Sequence, residues 1–152
     1  MDMMEVRRRV MLSMANGKLP EGIKAIASGV ATIDSVVSSF TITTNLGYAP
    51  DFFMIRIDID DWDKIPFGTV VEESFVRNDY ANIPSFPNGR YHFLYVNKHV
   101  TSGNLIAKQY QASVTIATEN TFTVQRGGAD WYPNDTDGNP LQYRWVAIKM
   151  NE

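Results

Sequence analysis

The sequence predicts a mainly β protein: an antiparallel β-sandwich, jelly-roll or lectin-like, preceded by one N-terminal α-helix. Three observations predict it. Strand-like runs with period-two alternation recur along most of the chain. Turn residues separate them every ~8–12 residues, the spacing of sandwiches and barrels. The N-terminal stretch instead carries apolar residues at helical spacing.

Residues 2–16, DMMEVRRRVMLSMAN, predict the helix. Asp2 caps it, Glu5 follows three residues later as in a capping box, and Asn16-Gly17 supplies a stop. Met3, Val6, Val10 and Met14 fall on one stripe with Met11 beside it, while Arg7, Arg8 and Ser13 lie away from it. A helix of ~15 residues is marginal alone in water, so the stripe must dock. Two destinations are open. One is the protein's own domain; the other is a partner or sister copies, with Met3, Val6, Val10, Met11 and Met14 as the assembly interface. Arg7-Arg8-Arg9 spread around a helix, which argues against a nucleic-acid-binding arm. The chain thus divides into an anchoring or oligomerisation helix (1–16), a Gly- and Pro-containing linker (17–22) and a sandwich domain (23–152).

The strands follow in order. Ile23 to Ile33 is a run of small and β-branched residues, with a bulge expected at Gly29 and a turn at Asp34-Ser35. The stretch SSFTITTNLGYAPDFFMIRIDID (38–60) reads as two strands joined at a corner of one antiparallel sheet. Phe40, Ile42 and Thr44 alternate with Thr41 and Thr43; Phe53, Ile55, Ile57 and Ile59 alternate with Met54, Arg56, Asp58 and Asp60. Pro50 lacks an N–H and fits the start of a strand better than its middle. Thr69 to Val76 is a weaker strand, 77–88 a loop, and Arg90 to Val96 a firm strand with Tyr91, Phe93 and Tyr95 on one face. Leu105 to Thr118 and Thr121 to Arg126 form a hairpin through Glu119-Asn120. After the polar loop 127–140, Leu141 to Met150 closes the chain, with Tyr143, Trp145 and Ala147 alternating against Arg144, Val146 and Ile148.

Composition narrows the chemistry. At 152 residues, 44% of them hydrophobic, the chain can bury a sizeable core without metal or disulfide support. With no Cys, disulfides, thiolate catalysis and Cys-ligated metals are excluded. The first 24 residues hold five basic and three acidic side chains, against nine and fourteen in the remainder, so the body is acidic. An acidic body does not suit nucleic acid. No apolar run approaches the ~20 residues of a membrane span, and no apolar h-region marks a secretory signal.

No phosphate-binding loop, nucleophile elbow or HExxH is present, and no acid stands alone in an apolar setting, so no catalytic residue, metal or cofactor is expected. His92 reads as a sheet-face histidine. Asp58, Asp60, Asp61 and Asp63 read as a solvated strand end rather than a cation site. Asp135 to Asn139 starts like an EF-hand loop, but Pro140 and Val146 occupy the positions that need Gly and Glu, so a turn is expected. Loop aromatics remain: Trp62, Tyr80, Phe86, Trp131 and Tyr132. If a ligand site exists, Trp131, Tyr132 and Trp62 are its stacking platforms for a sugar; otherwise these rings pack loops over the sandwich edge.

Two pieces together carry a resemblance. MEVRRRVMLSMANG (4–17) resembles the Arg-rich leader of phage and prophage appendage and structural proteins. LGYAPDFFMIRID (46–58) and YRWVAIK (143–149) resemble small phage β-sandwich domains with an "LGF-x-P" corner and a closing "Y-x-W-x-A" strand. The resemblance implies a non-enzymatic virion component of head, neck or tail, a fibre, adaptor or decoration protein, assembled in the bacterial host cytoplasm. Its implied partners are copies of itself, often as a trimer, and other virion proteins; a host-surface glycan is a further partner if the loop aromatics stack on a sugar. A carbohydrate-binding module and a small cell-wall glycan hydrolase are the alternatives.

Overall fold

The computed structural model describes residues 3–8, 19, 21–77, 91–98, 104–112, 116–125 and 131–151. A short helix, α1, covers 3–8. Among the described residues nine strands follow: β1 Ile23–Ala31, β2 Ser39–Thr43, β3 Phe52–Ile57, β4 Val70–Arg77, β5 Tyr91–Lys98, β6 Leu105–Ala112, β7 Ile116–Ala117, β8 Thr121–Gln125 and β9 Tyr143–Met150. All pairings are antiparallel. A six-stranded sheet runs β1-β9-β3-β4-β5-β6, and a three-stranded sheet runs β2-β8-β7. The protein is mainly β, as the alternation predicted.

One expectation about the 38–60 stretch is corrected. β2 and β3 do not share a sheet: β2 pairs with β8, whereas β3 lies between β4 and β9. The corner carries the chain from one sheet to the other. Gly47 at φ 85° and Asn45 at φ 51° provide the left-handed backbone that such a reversal needs. Backbone bonds from Thr44 N and Gly47 N to Asn120 O and Glu119 O, 2.7 and 2.8 Å, tie the corner to the β7–β8 hairpin.

The alternation itself holds, and it builds the core. Phe53, Ile55 and Ile57 are fully buried against Ile42, Phe122 and Val124 of the smaller sheet. Phe53 stacks on Phe122 at 4.2 Å and 6°, with Trp145 at 6.1 Å on β9 and Phe75 at 6.2 Å on β4. Space for this ladder comes from Ala147, which stands opposite Phe53 in register. A small residue facing a large one lets the two sheets approach without a void.

Gly29 shows no bulge. It stays in register with Trp145, and the β1 irregularity falls between Ile23 and Ala25. The glycine is there because the indole lies over it: a Cβ at position 29 would stand 2.8 Å from Trp145 Cζ2. An aromatic ring covering a cross-strand glycine restores the apolar contact that the missing side chain forfeits.

The alternation did not reveal that the other face of the large sheet is also buried. Phe52, Val146 and Ile148 form a second apolar cluster with Ile23 and with Val6 of α1. Met3, Ile26, Met54, Val76 and Met150 pack around it. The described part of the helix therefore docks on its own domain, outside the sandwich. Arg7 fixes it there through an ion pair with Glu72 and a 3.3 Å hydrogen bond to Ser74 Oγ.

Candidate functional site

The loop aromatics expected to stack on a ligand separate when placed in the fold. Trp131 is fully buried, which corrects its assignment as an exposed platform. Its backbone exchanges hydrogen bonds with Val37, at 2.8 and 3.1 Å, in an isolated antiparallel bridge. The bridge carries the ring inward, edge-on to Phe40 at 5.2 Å and to Tyr143 at 5.5 Å. Its Nε1 is buried and finds no hydrogen-bond partner among the described residues.

Tyr132 is half-buried against the same core. Its backbone brackets the Tyr143 hydroxyl, which donates to Tyr132 O at 2.7 Å and accepts from Tyr132 N at 3.1 Å. Burial pushes the Tyr143 phenol well above its ordinary pKa, and the bond to Tyr132 only partly opposes this. Trp62 alone of the three keeps an open ring, 38% exposed, on a single 3₁₀ turn, Trp62–Lys64. Asp61 caps the turn, accepting from Asp63 N at 3.0 Å, while Lys98 Nζ donates to the Trp62 and Asp63 carbonyls at 3.3 and 3.4 Å. Tyr80, Phe86, Val10, Met11, Met14 and the 9–16 part of the expected helix lie outside the described residues, as does the His92 side chain.

Several acidic side chains among the described residues have structural partners. Asp58 Oδ2 receives Arg144 Nε at 2.6 Å. Asp51 Oδ2 accepts from Met150 N at 2.8 Å and sits 3.2 Å from Lys149 Nζ. Asp135 Oδ1 accepts from Asp137 N and Asn139 N, both at 2.9 Å, in the turn that Gly138 completes at φ 85°. Those bonds, the one from Asn139 first, hold the Asp135 carboxyl below its ordinary pKa. Among the described residues no three His, Cys, Asp or Glu side chains converge as metal ligands would.

Sequence reading missed one acid. Glu73 is fully buried on the core face of β4, in register with Ile55 of β3. The signal was present in VVEESFV, where period-two counting places Glu73 with Val71 and Phe75. Contrary to expectation, then, one carboxyl does occupy a largely apolar setting. It lines neither the cleft beside α1 nor those beside Tyr48 and Phe40, so a substrate in them does not reach it.

A cleft with a volume of about 450 Å³ lies on the outer face of the large sheet, beside α1. Phe52, Met54 and Val146 give it apolar walls, with Ser28 and Val30 at its β1 side. Three guanidiniums line it: Arg7 from α1, Arg56 from β3 and Arg144 from β9. Arg56 and Arg144 are cross-strand partners, and Glu72 is the partner of Arg56 on the other side. Arg7 is bound to Glu72 and Arg144 to Asp58; Arg56 makes no ion pair or side-chain hydrogen bond among the described residues. Burial, and then Arg56 beside it, lower the pKa of Arg7, whose Nε is shut off from solvent without a partner among the described residues.

Compared with protein-family models, with curated proteins and with solved structures, the chain has no significant match in any of the three.

Proposed function

We propose that this chain is a non-enzymatic structural component of a phage or prophage particle, a β-sandwich module carried on an N-terminal assembly segment and acting as a homotrimer. The observation that best supports this reading is the separation of the helix from the sandwich core. The main core contains no residue of α1, whose Val6 belongs to a second cluster on the opposite face of the large sheet. A sandwich core without a residue of α1 suits a projecting module, and a leader whose described part is held by Val6 and Met3 and by the Arg7 clamp suits exchange of its contacts during assembly. Among the described residues Asp58 and Asp51 are held in ion pairs, Asp135 holds a turn and Glu73 lies in the core, which suits a structural role.

Light scattering of the full chain tests the assembly part: a trimer is expected, and a monomer at all concentrations overturns it. Mass spectrometry of purified particles from a producing host tests the location. The chain is expected there at fixed stoichiometry, and particles lacking it overturn the virion reading.

Attachment to a host-surface glycan is a second reading, favoured only by Trp62, whose ring stays open on a pinned turn. Trp62→Ala is expected to abolish retention on host-wall glycan with the fold intact. Unchanged retention removes Trp62 from any such site.

A further inference from the structure

We propose that the cleft between α1 and the outer face of the large sheet binds a small amphiphilic carboxylate, its acyl body on the Phe52–Met54–Val146 floor and its carboxylate on Arg56, flanked by Arg7 and Arg144. The volume and the wall chemistry are those of a small-molecule site: a few hundred Å³, mostly apolar, with a few charged groups at one side. At ~30 Å³ per water-sized group, 450 Å³ admits on the order of fifteen heavy atoms. That is a medium-chain acyl group with its head.

Charge selects the head group. Three guanidiniums meet two carboxylates, Glu72 on Arg7 and Asp58 on Arg144, which leaves one positive charge in excess. A monoanion balances it; a phosphate dianion overshoots. Arg56 is the residue with its donors uncommitted among the described residues, and its planar fork matches a carboxylate in two-point contact. Apolar depth also discriminates. Phe52 is 2% exposed and Val146 6%, whereas Arg144 is 61% exposed in its side chain, so the cleft runs from a dry floor to a wet cationic rim. A free inorganic anion gains nothing from such a floor, and a neutral alkyl chain gains nothing from the rim.

The test uses the full chain titrated with decanoate, 1-decanol and decyltrimethylammonium, each below its aggregation concentration. The readout is the side-chain methyl resonance of Met54, identified among the seven methionines by its loss in Met54→Leu. Decanoate is expected to shift that signal saturably. Decanol and the cation are expected to bind at least about tenfold more weakly, because a hydrogen bond to a charged group is worth about 1.5–3 kcal/mol. Arg56→Gln, an exposed change that leaves the fold intact, is expected to weaken decanoate by a similar factor, and Arg56→Lys to recover part of it. Absence of a saturable shift, equal binding of the three head groups, or an Arg56→Gln variant that binds as wild type overturns the proposal.

Discussion

Gly29→Ala is expected to destabilise the protein although it adds one methyl group to a partly buried strand position. The backbone at Gly29 is not left-handed, so the substitution carries no penalty in φ. By itself it restricts the unfolded chain and would stabilise by about 0.4–1 kcal/mol. Against this, the new Cβ would meet three atoms of the Trp145 indole at 2.8, 2.9 and 3.0 Å, closer than carbon atoms pack. The indole cannot slide freely, because its ring is stacked on Phe53 at 6.1 Å and 12° within the aromatic ladder. Overpacking a well-filled site costs about 1–3 kcal/mol. The balance is a net loss of about 1–2 kcal/mol. With a urea dependence of about 1–3 kcal/mol per molar, the unfolding midpoint falls by roughly 0.5–1 M at unchanged slope. The same substitution in a Trp145→Phe background is expected to change sign and stabilise by the entropic term alone, since the bulk that opposed it is gone. Destabilisation of equal size in both backgrounds, or stabilisation in the wild type, would refute the covering role of the indole.

Tyr143→Phe removes a buried hydroxyl that both donates to and accepts from the Tyr132 backbone, and is expected to cost about 1–3 kcal/mol by leaving those groups unpaired; thermal unfolding checks it. The same phenol gives a pH dependence. Its pKa is raised in the folded state from 10.0, so the folded protein holds the proton more tightly; the stabilising contribution is complete below pH 10 and is lost as pH rises beyond it. Unfolding midpoints between pH 9 and 12 should fall in wild type and fall less in Tyr143→Phe. Asp135 works in the opposite direction: its pKa is lowered from 3.8, so its contribution is present above that value and disappears as pH drops through it, a loss that Asp135→Ala should remove from acid titrations. Val6→Asp places a charge at a site 5% exposed, against Phe52 and Ile148, and should release α1. Circular dichroism should lose helix signal while the near-ultraviolet signal of the Phe53–Phe122 core persists; joint loss of both would show that helix and sandwich fold as one unit.

By itself the sequence determined the strands and most of their inward faces. Alternation such as Phe53-Met54-Ile55-Arg56-Ile57 has one physical solution, a pleated strand with its apolar set buried, and turns at Asp34-Ser35, Glu119-Asn120 and Asp135–Asn139 mark where the chain reverses. What it could not determine is which strands meet. Sheet pairing is non-local, so nothing in the 38–60 stretch tells whether β2 and β3 are neighbours or face each other across the core, and only the tertiary structure placed them in different sheets. The same reason hid Trp131. Its polar loop reads as exposed, yet the bridge to Val37, distant in sequence, draws the ring into the core. It also hid the cleft. Arg7, Arg56 and Arg144 belong to three elements far apart along the chain, and each alone looks like a solvated charge. They converge because β9 inserts between β1 and β3 and the helix lies across that face, an arrangement set by the competition among long-range pairings and not by any local propensity.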